Sequence, residues 1–381
     1  MLDDGWFKGR RDDTAGLGDW EVDRAIYPDG LAPLAQEVEQ LGLEFGLWVE
    51  PEMINPDSDL YRAHPDWALA QHGTAGPTAR NQLVLDMRKP EVRDHLFERL
   101  DAILREVPIG YLKWDHNRDH TPSGGSAQTL GTYDLLQRLR AAHPAVEIEG
   151  CAGGGGRSDA GMAQYVHRFW TSDTIDGVSR VTMQRGFLAF LPPEIMGSHV
   201  GASPAHATGR SQSMAFRCAM ASMGHFGVEL DPAAVPEADR SELAEWIAFY
   251  KQWRDLLHGH QVVLGTGSDG LVWQAQGNAE RKLLFCIRTD PPQDRRPQPL
   301  TLPFAAQRDA WNVSLLKIAE TPKHRPPRAN MFAQLPNEPV PLSGSWLAKA
   351  GMPMPAMKAE SVAVFLLEAS SSSTKNSKAS Q

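Results

Sequence analysis

The sequence has little cysteine, no long apolar run and no excess of positive charge, and each absence excludes a class of protein. The three cysteines, Cys151, Cys218 and Cys286, are too far apart for a disulfide framework or a metal site. We therefore expect a reducing compartment and predict a cytoplasmic protein. No stretch approaches the roughly 18 apolar residues of a membrane helix. Residues 1–8 are acidic and then aromatic, the reverse of a secretory signal peptide.

Acidic residues outnumber basic ones, 47 to 38, which gives a formal net charge of −9. A nucleic-acid partner would require a basic patch, so we expect no nucleic-acid partner. Because no apolar run is long enough for a membrane helix, we expect no membrane partner either. The 13 histidines form no HExxH motif or tight metal triad. Gly153–Gly156 lacks the GK[ST] ending of a phosphate-binding loop. We predict no metal and no cofactor, and interpret the four glycines as a close backbone approach to a ligand.

Residues 1–258 alternate short apolar strands with amphipathic helices, as in a parallel α/β sheet. Each βα unit of a (β/α)8 barrel takes roughly 30 residues, and this spacing is compatible with a barrel. A doubly wound open sheet is the competing fold, but acids at most strand ends favour the barrel. The strands are predicted at Phe45–Met53, Leu83–Met87, Tyr111–Asp115, Val146–Cys151, Phe169–Asp173 and Gly197–Val200.

Beyond residue 258 the helical pattern stops, and strands follow one another between glycine, proline, asparagine and aspartate. This pattern predicts a small antiparallel β-sandwich domain over residues 259–369. Residues 370–381 have almost no apolar content and are predicted to be disordered. The strands are expected at Leu271–Gln276, Lys282–Arg288, Pro299–Phe304, Trp311–Ile318 and Ser361–Ala369.

A charged cluster ends the buried strand within YLKWDHNR, where Lys113, Asp115, Asn117 and Arg118 crowd together. The carboxyl ends of barrel strands are where chemistry occurs, so Asp115 is the first candidate catalytic group. A structural Asp–Arg pair is the alternative. Asp173 ends another strand, and two carboxylates flanking a scissile bond are what glycoside hydrolysis needs. The same pair could serve proton transfer or magnesium binding.

Six motifs in this order resemble the α-galactosidases of glycoside hydrolase family 36, the melibiose and raffinose type. The likeness covers residues 2–258 closely and the C-terminal β domain loosely. The motifs are DDGWF (Asp3–Phe7), GLWVEPEM (Gly46–Met53), YLKWDHNR (Tyr111–Arg118), CAGGGGRSD (Cys151–Asp159), WTSDTID (Trp170–Asp176) and GSHVGASP (Gly197–Pro204).

The resemblance implies a (β/α)8 barrel that cleaves terminal α-galactosyl residues with retention. By position, Asp115 matches the family nucleophile and Asp173 the general acid/base. A small α-galactoside is the implied partner, and full-length relatives are expected to be homo-oligomers. The residues matching substrate-binding positions are Asp3, Asp4, Trp48, Arg80, Lys113, Asn117, Cys151 and Gly153.

The front of the sequence departs from the family, which carries a large β-sandwich domain and a first barrel strand and helix before DDGWF. We expect a barrel that lacks its first strand and most of the second, because the motif begins at Asp3. A chain of this kind exposes unpaired strand edges. We therefore expect it to be poorly soluble alone and inactive on p-nitrophenyl α-galactoside.

Three other functions are compatible with the same residues. Galactosyl transfer, as in raffinose synthases, would use a sugar instead of water to intercept the intermediate. A non-catalytic galactoside-binding remnant would keep the pocket without turnover. Lys113 could form a Schiff base in an aldolase if burial lowered its pKa, although Asp115 two residues away favours a charged, hydrogen-bonding lysine.

Overall fold

The computed structural model describes residues 1–71, 73–118, 124–294, 297–320 and 338–370. Its contacts divide the chain into two compact units, Met1–Asp173 and Thr174–Gln381. Across the described ranges, no helix combines the length and the apolar character needed to cross a membrane.

The first unit is an α/β unit. Its strands are β1 (Phe45–Val49), β2 (Met53–Ile54), β3 (Ala70–Gln71), β4 (Thr74–Ala75), β5 (Leu83–Val84), β6 (Ile109–Trp114), β7 (Glu147–Gly150) and β8 (Arg168–Trp170). Its helices are α1 (Ala32–Gln40), α2 (Asp59–Ala63), α3 (Pro90–Glu106) and α4 (Gly125–Ala142), with 3-10 turns at Pro65–Trp67 and Met162–Gln164.

Four of these strands pair in parallel, in the order β1, β6, β7, β8. Every residue of β1 is buried, as expected for a parallel strand covered on both faces. The register places Trp48 beside Lys113, and Lys113 beside Glu149. Leu2 adds a single parallel bridge to Leu47 on the other side of β1. The carboxyl ends of four strands therefore meet at one edge.

Helix α3 spans Pro90–Glu106. Pro90 occupies its first turn, where the missing backbone N–H costs no hydrogen bond. The helix buries Val92, Leu96, Leu100 and Ile103, spacings of four, four and three residues that place the side chains on one face.

The predicted strand at Leu83–Met87 was wrong as a member of the parallel series. Only Leu83–Val84 is a strand, and it pairs antiparallel with β2. β1 instead pairs directly with β6. The described residues from 50 to 89 therefore lie between these two strands in the chain without adding a strand between them in the sheet. Asp86 therefore ends no parallel strand, and its carboxylate binds the guanidinium of Arg88 at 2.7 Å.

The second unit contains a parallel strand pair and a larger antiparallel sheet. Its helices are α5 (Gly177–Phe187), α6 (Met214–Ala221), α7 (Glu237–His258) and α8 (Gly344–Lys349). β9 (Met196–Gly201) and β10 (His225–Glu229) are parallel. The antiparallel strands are β11 (Gln261–Thr266), β12 (Val272–Gly277), β13 (Arg281–Arg288), β14 (Ala310–Glu320), β15 (Val340–Ser343) and β16 (Ser361–Ala369).

The antiparallel strands form one sheet in the order β11, β12, β13, β16, β14, β15. Alternate side chains of β13 separate onto two faces, as the strand period of two requires. Phe285 packs in a cluster with Trp246 and Leu257 of α7. Cys286, the next residue, packs in a second cluster with Trp311. The sheet is therefore buried on both faces.

The predicted antiparallel β-sheet is confirmed, but within the part of the chain that the structure describes its strands make one sheet instead of the two stacked sheets of a sandwich. Helices and loops provide the packing that a second sheet would provide in a sandwich. Pro299–Phe304 is not a strand: Leu300 makes one isolated bridge to Met352, and a 3-10 turn begins at Pro303. Nearly all of the predicted disordered tail, residues 371–381, lies outside the described residues.

The contacts divide the chain after Asp173, whereas the sequence suggested a boundary at residue 258. The physical reason is that α6 and α7 share a core with the antiparallel sheet. The domain ranges 1–258 and 259–369 stay predictions.

Candidate active site

The side chains that could take part in catalysis lie together at the carboxyl edge of the first unit's parallel strands. Trp48 lies on β1 and Lys113 on β6, while Asp115 and Cys151 are the first residues after β6 and β7. Asp173 follows β8 by three positions. Since parallel strands end at the same edge, consecutive βα turns bring these residues together.

Asp115 is a buried carboxylate held by several donors. Its Oδ2 accepts hydrogen bonds from Trp48 Nε1 at 3.0 Å and from Asn117 Nδ2 at 2.6 Å. Its Oδ1 accepts one from the backbone N–H of His116 at 2.8 Å. Burial acts to raise the pKa of Asp115, but the bonds from Trp48, Asn117, the Cys151 thiol and the backbone lower it overall. The carboxylate is thus ionised and oriented.

Lys113 lies beside Asp115 and stays charged. Burial acts to lower the pKa of Lys113, but the anionic groups around it, among them Asp3 and Asp115, raise it overall. Its Nζ is 3.8 Å from an oxygen of Asp3 and 4.4 Å from the ring centroid of Trp170. A Schiff base needs a neutral amine, so this environment is contrary to the aldolase alternative.

Asp173 and Lys113 are linked through one aromatic ring. Trp170 Nε1 donates to Asp173 Oδ1 at 2.8 Å, and the Lys113 ammonium lies over the same indole. Asp173 itself is exposed. The two acids of the cluster therefore differ in their surroundings: the Asp173 carboxyl is solvent-accessible, and the Asp115 carboxylate is buried and hydrogen-bonded.

The glycine-rich loop after β7 contacts both acids. The Cys151 thiol hydrogen-bonds Asp115, and burial raises the pKa of that thiol. Gly153 and Gly154 have φ of +53° and +86°, a left-handed conformation that favours glycine. A Cβ on Gly154 would lie 3.0 Å from the Cα of Ser172 and 3.1 Å from the Asp173 nitrogen. Gly154 therefore approaches the backbone of Ser172 and Asp173 closely, and the approach of the four glycines to a ligand stays a prediction.

A further buried carboxylate, that of Glu52, stabilises this loop. It accepts hydrogen bonds from Trp114 at 2.9 Å, Thr132 at 2.7 Å and Arg157 at 2.8 Å. Burial acts to raise the pKa of Glu52, but the charge of Arg157 and the nearby His116 hold it well below its usual range. The Glu52–Arg157 ion pair therefore ties the loop after β1 to the loop after β7.

Glu50, the first residue after β1, is also buried. Its Oε1 accepts a bond from the backbone N–H of Asn117 at 2.5 Å, and its Oε2 one from Gln82 at 3.2 Å. Burial and the charge of Asp115 raise the pKa of Glu50 to about 7. Its position at a strand end was visible in the sequence, but its burial next to Asp115 was not.

The two N-terminal acids differ in their surroundings. Asp3 approaches Lys113 and is largely exposed. Asp4 binds the buried Arg10 through both oxygens, at 2.9 Å to Nε and 2.7 Å to Nη2. The structure therefore brings Asp3 to the cluster directly, and gives Asp4 a guanidinium partner that fixes its carboxylate plane.

Arg80 reaches the cluster through its charge. It is exposed at φ +50°, followed by Asn81 at φ +59°, in a two-residue turn closed by Ala79 and Gln82. Such a type I′ geometry usually uses glycine or asparagine, so an arginine here is uncommon. Its cation acts to lower the pKa of Glu50, so its charge lies near that carboxyl.

The family model described as Melibiase matches residues 1–259. The chain belongs to the Melibiase family. An α-galactosidase of Escherichia coli is 41% identical over 383 residues, which cover 97% of this chain and 54% of that protein. The α-galactosidase AgaA of Geobacillus stearothermophilus is 44% identical over 269 residues, 68% of this chain and 37% of that one. The chain thus spans about half the length of these family members, or less.

Solved structures of the family have the same fold. A GH36 α-galactosidase AgaA variant from Geobacillus stearothermophilus, in complex with raffinose, has a TM-score of 0.86 at 32% identity over 97% of this chain and 51% of that chain. An α-galactosidase from Lactobacillus brevis has a TM-score of 0.84 at 30% identity, with coverage of 97% and 50%. The predicted family 36 resemblance is confirmed.

Proposed function

We propose that this chain carries the catalytic centre of a retaining α-galactosidase, with Asp115 as nucleophile and Asp173 as general acid/base. The observation that carries the proposal is the buried Asp115 carboxylate, which three donors orient at a strand end. Asp173 accepts a hydrogen bond from Trp170, and the Lys113 ammonium lies over the ring of that tryptophan. Membership of the Melibiase family supplies the substrate class.

In the first step, an Asp115 oxygen attacks the anomeric carbon of the terminal galactosyl residue. The bond from that carbon to the glycosidic oxygen breaks, and Asp173 gives its proton to the departing oxygen. The products are a galactosyl ester of Asp115, a released alcohol and an ionised Asp173.

In the second step, water attacks the anomeric carbon while Asp173 takes its proton. The ester bond breaks, its electron pair returns to Asp115, and galactose leaves with the α configuration that it had in the substrate. Two inversions give retention, and this requires carboxyl groups about 5–5.5 Å apart. That separation remains a prediction for Asp115 and Asp173.

We assign galactose binding to the charged and aromatic groups around this pair. Lys113 and Asp3 form an ion pair. The Lys113 ammonium can donate hydrogen bonds to sugar hydroxyls, and the Asp3 carboxylate can accept hydrogen bonds from them. Asp4, held by Arg10, is assigned to the same hydroxyls at C4 and C6. Trp48 and Asn117 orient the nucleophile, and Arg80, Cys151 and Gly153 complete the proposed pocket. Melibiose and raffinose are the proposed substrates.

We also propose that the four parallel strands of the first unit form part of a (β/α)8 barrel. The supporting observations are the parallel register, the fully buried β1 and the site at the carboxyl edge. In barrels that edge carries the chemistry.

The test is the configuration of the first product, followed by proton NMR during hydrolysis of an aryl α-galactoside by the 381-residue chain. Contrary to the inactivity expected from the sequence, the assembled cluster around Asp115 predicts turnover. We expect α-galactose first, and loss of the signal in Asp115→Asn. Asp66→Asn, which changes an exposed aspartate outside the site, is the matched control. Appearance of β-galactose first would contradict the proposed roles.

Because the chain spans about half of its relatives, ligand binding is measured beside turnover. Calorimetry with 1-deoxygalactonojirimycin is expected to show binding that Lys113→Met weakens at least tenfold. A folded chain with neither turnover nor binding would overturn the proposal.

A further inference from the structure

Asn117 connects two buried carboxyl groups. Its backbone N–H donates to Glu50 Oε1 at 2.5 Å, and its side-chain amide donates to Asp115 Oδ2 at 2.6 Å. Glu50 and Asp115 are the first residues after the neighbouring strands β1 and β6, and only 1% and 6% of their surfaces are exposed. The two acids are therefore fixed relative to each other by one residue.

We propose that Glu50 is a positioning residue for Asp115 that acts through Asn117, and that the charge on Glu50 governs how readily Asp115 gains and loses its bond to the sugar. This inference rests on the proposed function, since it concerns the ester step of that reaction. Glu50 does not itself touch the substrate in this account.

Four of the described residues act on the Glu50 carboxyl. Asp115 repels its charge, while Asn117 favours it through both its backbone N–H and its side-chain amide. The Gln82 amide and the cation of Arg80 favour that charge as well. Burial and Asp115 dominate, so the pKa of Glu50 lies at about 7. The carboxyl is thus poised to change its charge within the working range of an enzyme at neutral pH.

Formation of the galactosyl ester removes the charge of Asp115. Ionised Glu50 repels ionised Asp115, so it favours the step that discharges Asp115 and opposes the step that restores its charge. Neutral Glu50 has the opposite effect. By reciprocity, the ester must lower the pKa of Glu50 by as much as Glu50 ionisation favours the ester. As pH rises through about 7, galactosylation gains and ester hydrolysis loses.

The coupling is measured without turnover by carbon NMR of carboxyl-labelled glutamate. The Glu50 resonance is assigned by its loss in Glu50→Gln. We expect its titration midpoint to lie near neutral pH and to fall by about one pH unit or more in Asp115→Asn, as for strongly coupled carboxyl pairs. Asp66→Asn, the matched control, is expected to leave the midpoint unchanged.

An unmoved midpoint in folded Asp115→Asn, or a Glu50 midpoint near 4 in the parent chain, would overturn the inference. If the folded chain neither hydrolyses an α-galactoside nor binds 1-deoxygalactonojirimycin, the proposed function fails, while this titration still measures the Glu50–Asp115 coupling. The two failures are therefore distinguishable.

A second readout uses Glu50→Gln, which fixes the neutral form. In the parent chain KM, which is the ratio of kcat to kcat/KM, is expected to change several-fold between pH 6 and 8. The reason is that galactosylation and ester hydrolysis respond oppositely to the charge of Glu50. In Glu50→Gln that change is expected to vanish. A merely structural role would lower both parameters equally at every pH, and that result would contradict the proposal.

Discussion

Trp48 Nε1 donates a hydrogen bond to Asp115 Oδ2 over 3.0 Å, and both residues are buried. The donor comes from β1 and the acceptor from the end of β6, two strands paired in parallel. A fixed N–H that points at a buried carboxylate stabilises its negative charge and fixes the orientation of the accepting oxygen. The sheet register thus orients the carboxylate of Asp115, the proposed nucleophile.

Replacement of Trp48 by phenylalanine removes this donor and keeps an aromatic ring. A hydrogen bond to a charged group contributes about 1.5–3 kcal/mol, so we expect kcat/KM to fall roughly 10- to 150-fold. The pKa of Asp115 is expected to rise, which moves the acid limb of the kcat/KM profile to higher pH. The exposed Trp346, changed to phenylalanine, is the control. An unshifted acid limb would show that the bond does not tune Asp115.

Glu52→Gln tests the buried ion pair with Arg157. Removal of one partner of such a pair costs about 3–5 kcal/mol of unfolding free energy, because the other charge stays buried. The exposed Arg24–Glu106 pair is the control, and Glu106→Gln should cost at most about 1 kcal/mol. The measurement is urea denaturation at pH 7. Equal effects of the two changes would contradict a bracing role for Glu52.

The same pair predicts acid sensitivity. The folded-state pKa of Glu52 lies well below its ordinary value of 4.5. A depressed acid pKa gives stability that is present above the unfolded value and is lost as pH falls toward the folded one. The difference in unfolding free energy between the parent chain and Glu52→Gln should therefore shrink as pH falls below about 4.5. A constant difference across that range would be inconsistent with an ionised, buried Glu52.

Glu50 has the opposite sign. Its pKa is raised from 4.5 to about 7 in the folded chain, so the folded state binds the extra proton and stability is lost as pH rises between these values. Glu50→Gln should match the parent chain near pH 4.5 and be more stable above pH 7, by at most about 3 kcal/mol. Thermal unfolding at both pH values measures this. Greater stability of the variant only at low pH would contradict the assignment.

Gly154→Ala tests the loop that contacts both acids. The new Cβ would lie 3.0 Å from the Cα of Ser172 and 3.1 Å from the Asp173 nitrogen, so the backbone must shift. Gly42→Ala is a matched control: its φ is similarly positive, at +75°, but nothing lies within 4 Å of its Cβ. We expect similar backbone costs of about 1 kcal/mol, with loss of α-galactosidase activity only in Gly154→Ala. Equal activities of the two variants would show that the loop does not position Asp173.

The sequence allowed prediction of the candidate site residues that lie on regular strands or directly after them. Lys113 and Asp115 end an apolar run long enough to be recognised, and β6 pairs as that run suggests. The strand assigned to Leu83–Met87 failed, because a short apolar run does not reveal whether its partner is parallel or antiparallel. The strands β10, β11 and β15 were not predicted, since they are mostly half-exposed and lack a continuous apolar run.

The roles of Glu50 and Glu52 could not be read from the motif that contains both. They are two residues apart, yet burial beside Asp115 raises the pKa of Glu50 while Arg157 holds the pKa of Glu52 low. Arg157 is more than one hundred residues away in the chain, at a separation of 105. Such a difference depends on tertiary partners and not on local sequence.

The most direct test of the account is covalent trapping of the proposed nucleophile. The 381-residue chain is incubated with 5-fluoro-α-D-galactosyl fluoride, digested, and its peptides are sequenced by mass spectrometry. The account predicts one fluorogalactosyl group on Asp115, protected by 1-deoxygalactonojirimycin and absent in Asp115→Asn. A label on another residue, or no label on a folded chain that binds the inhibitor, would contradict it.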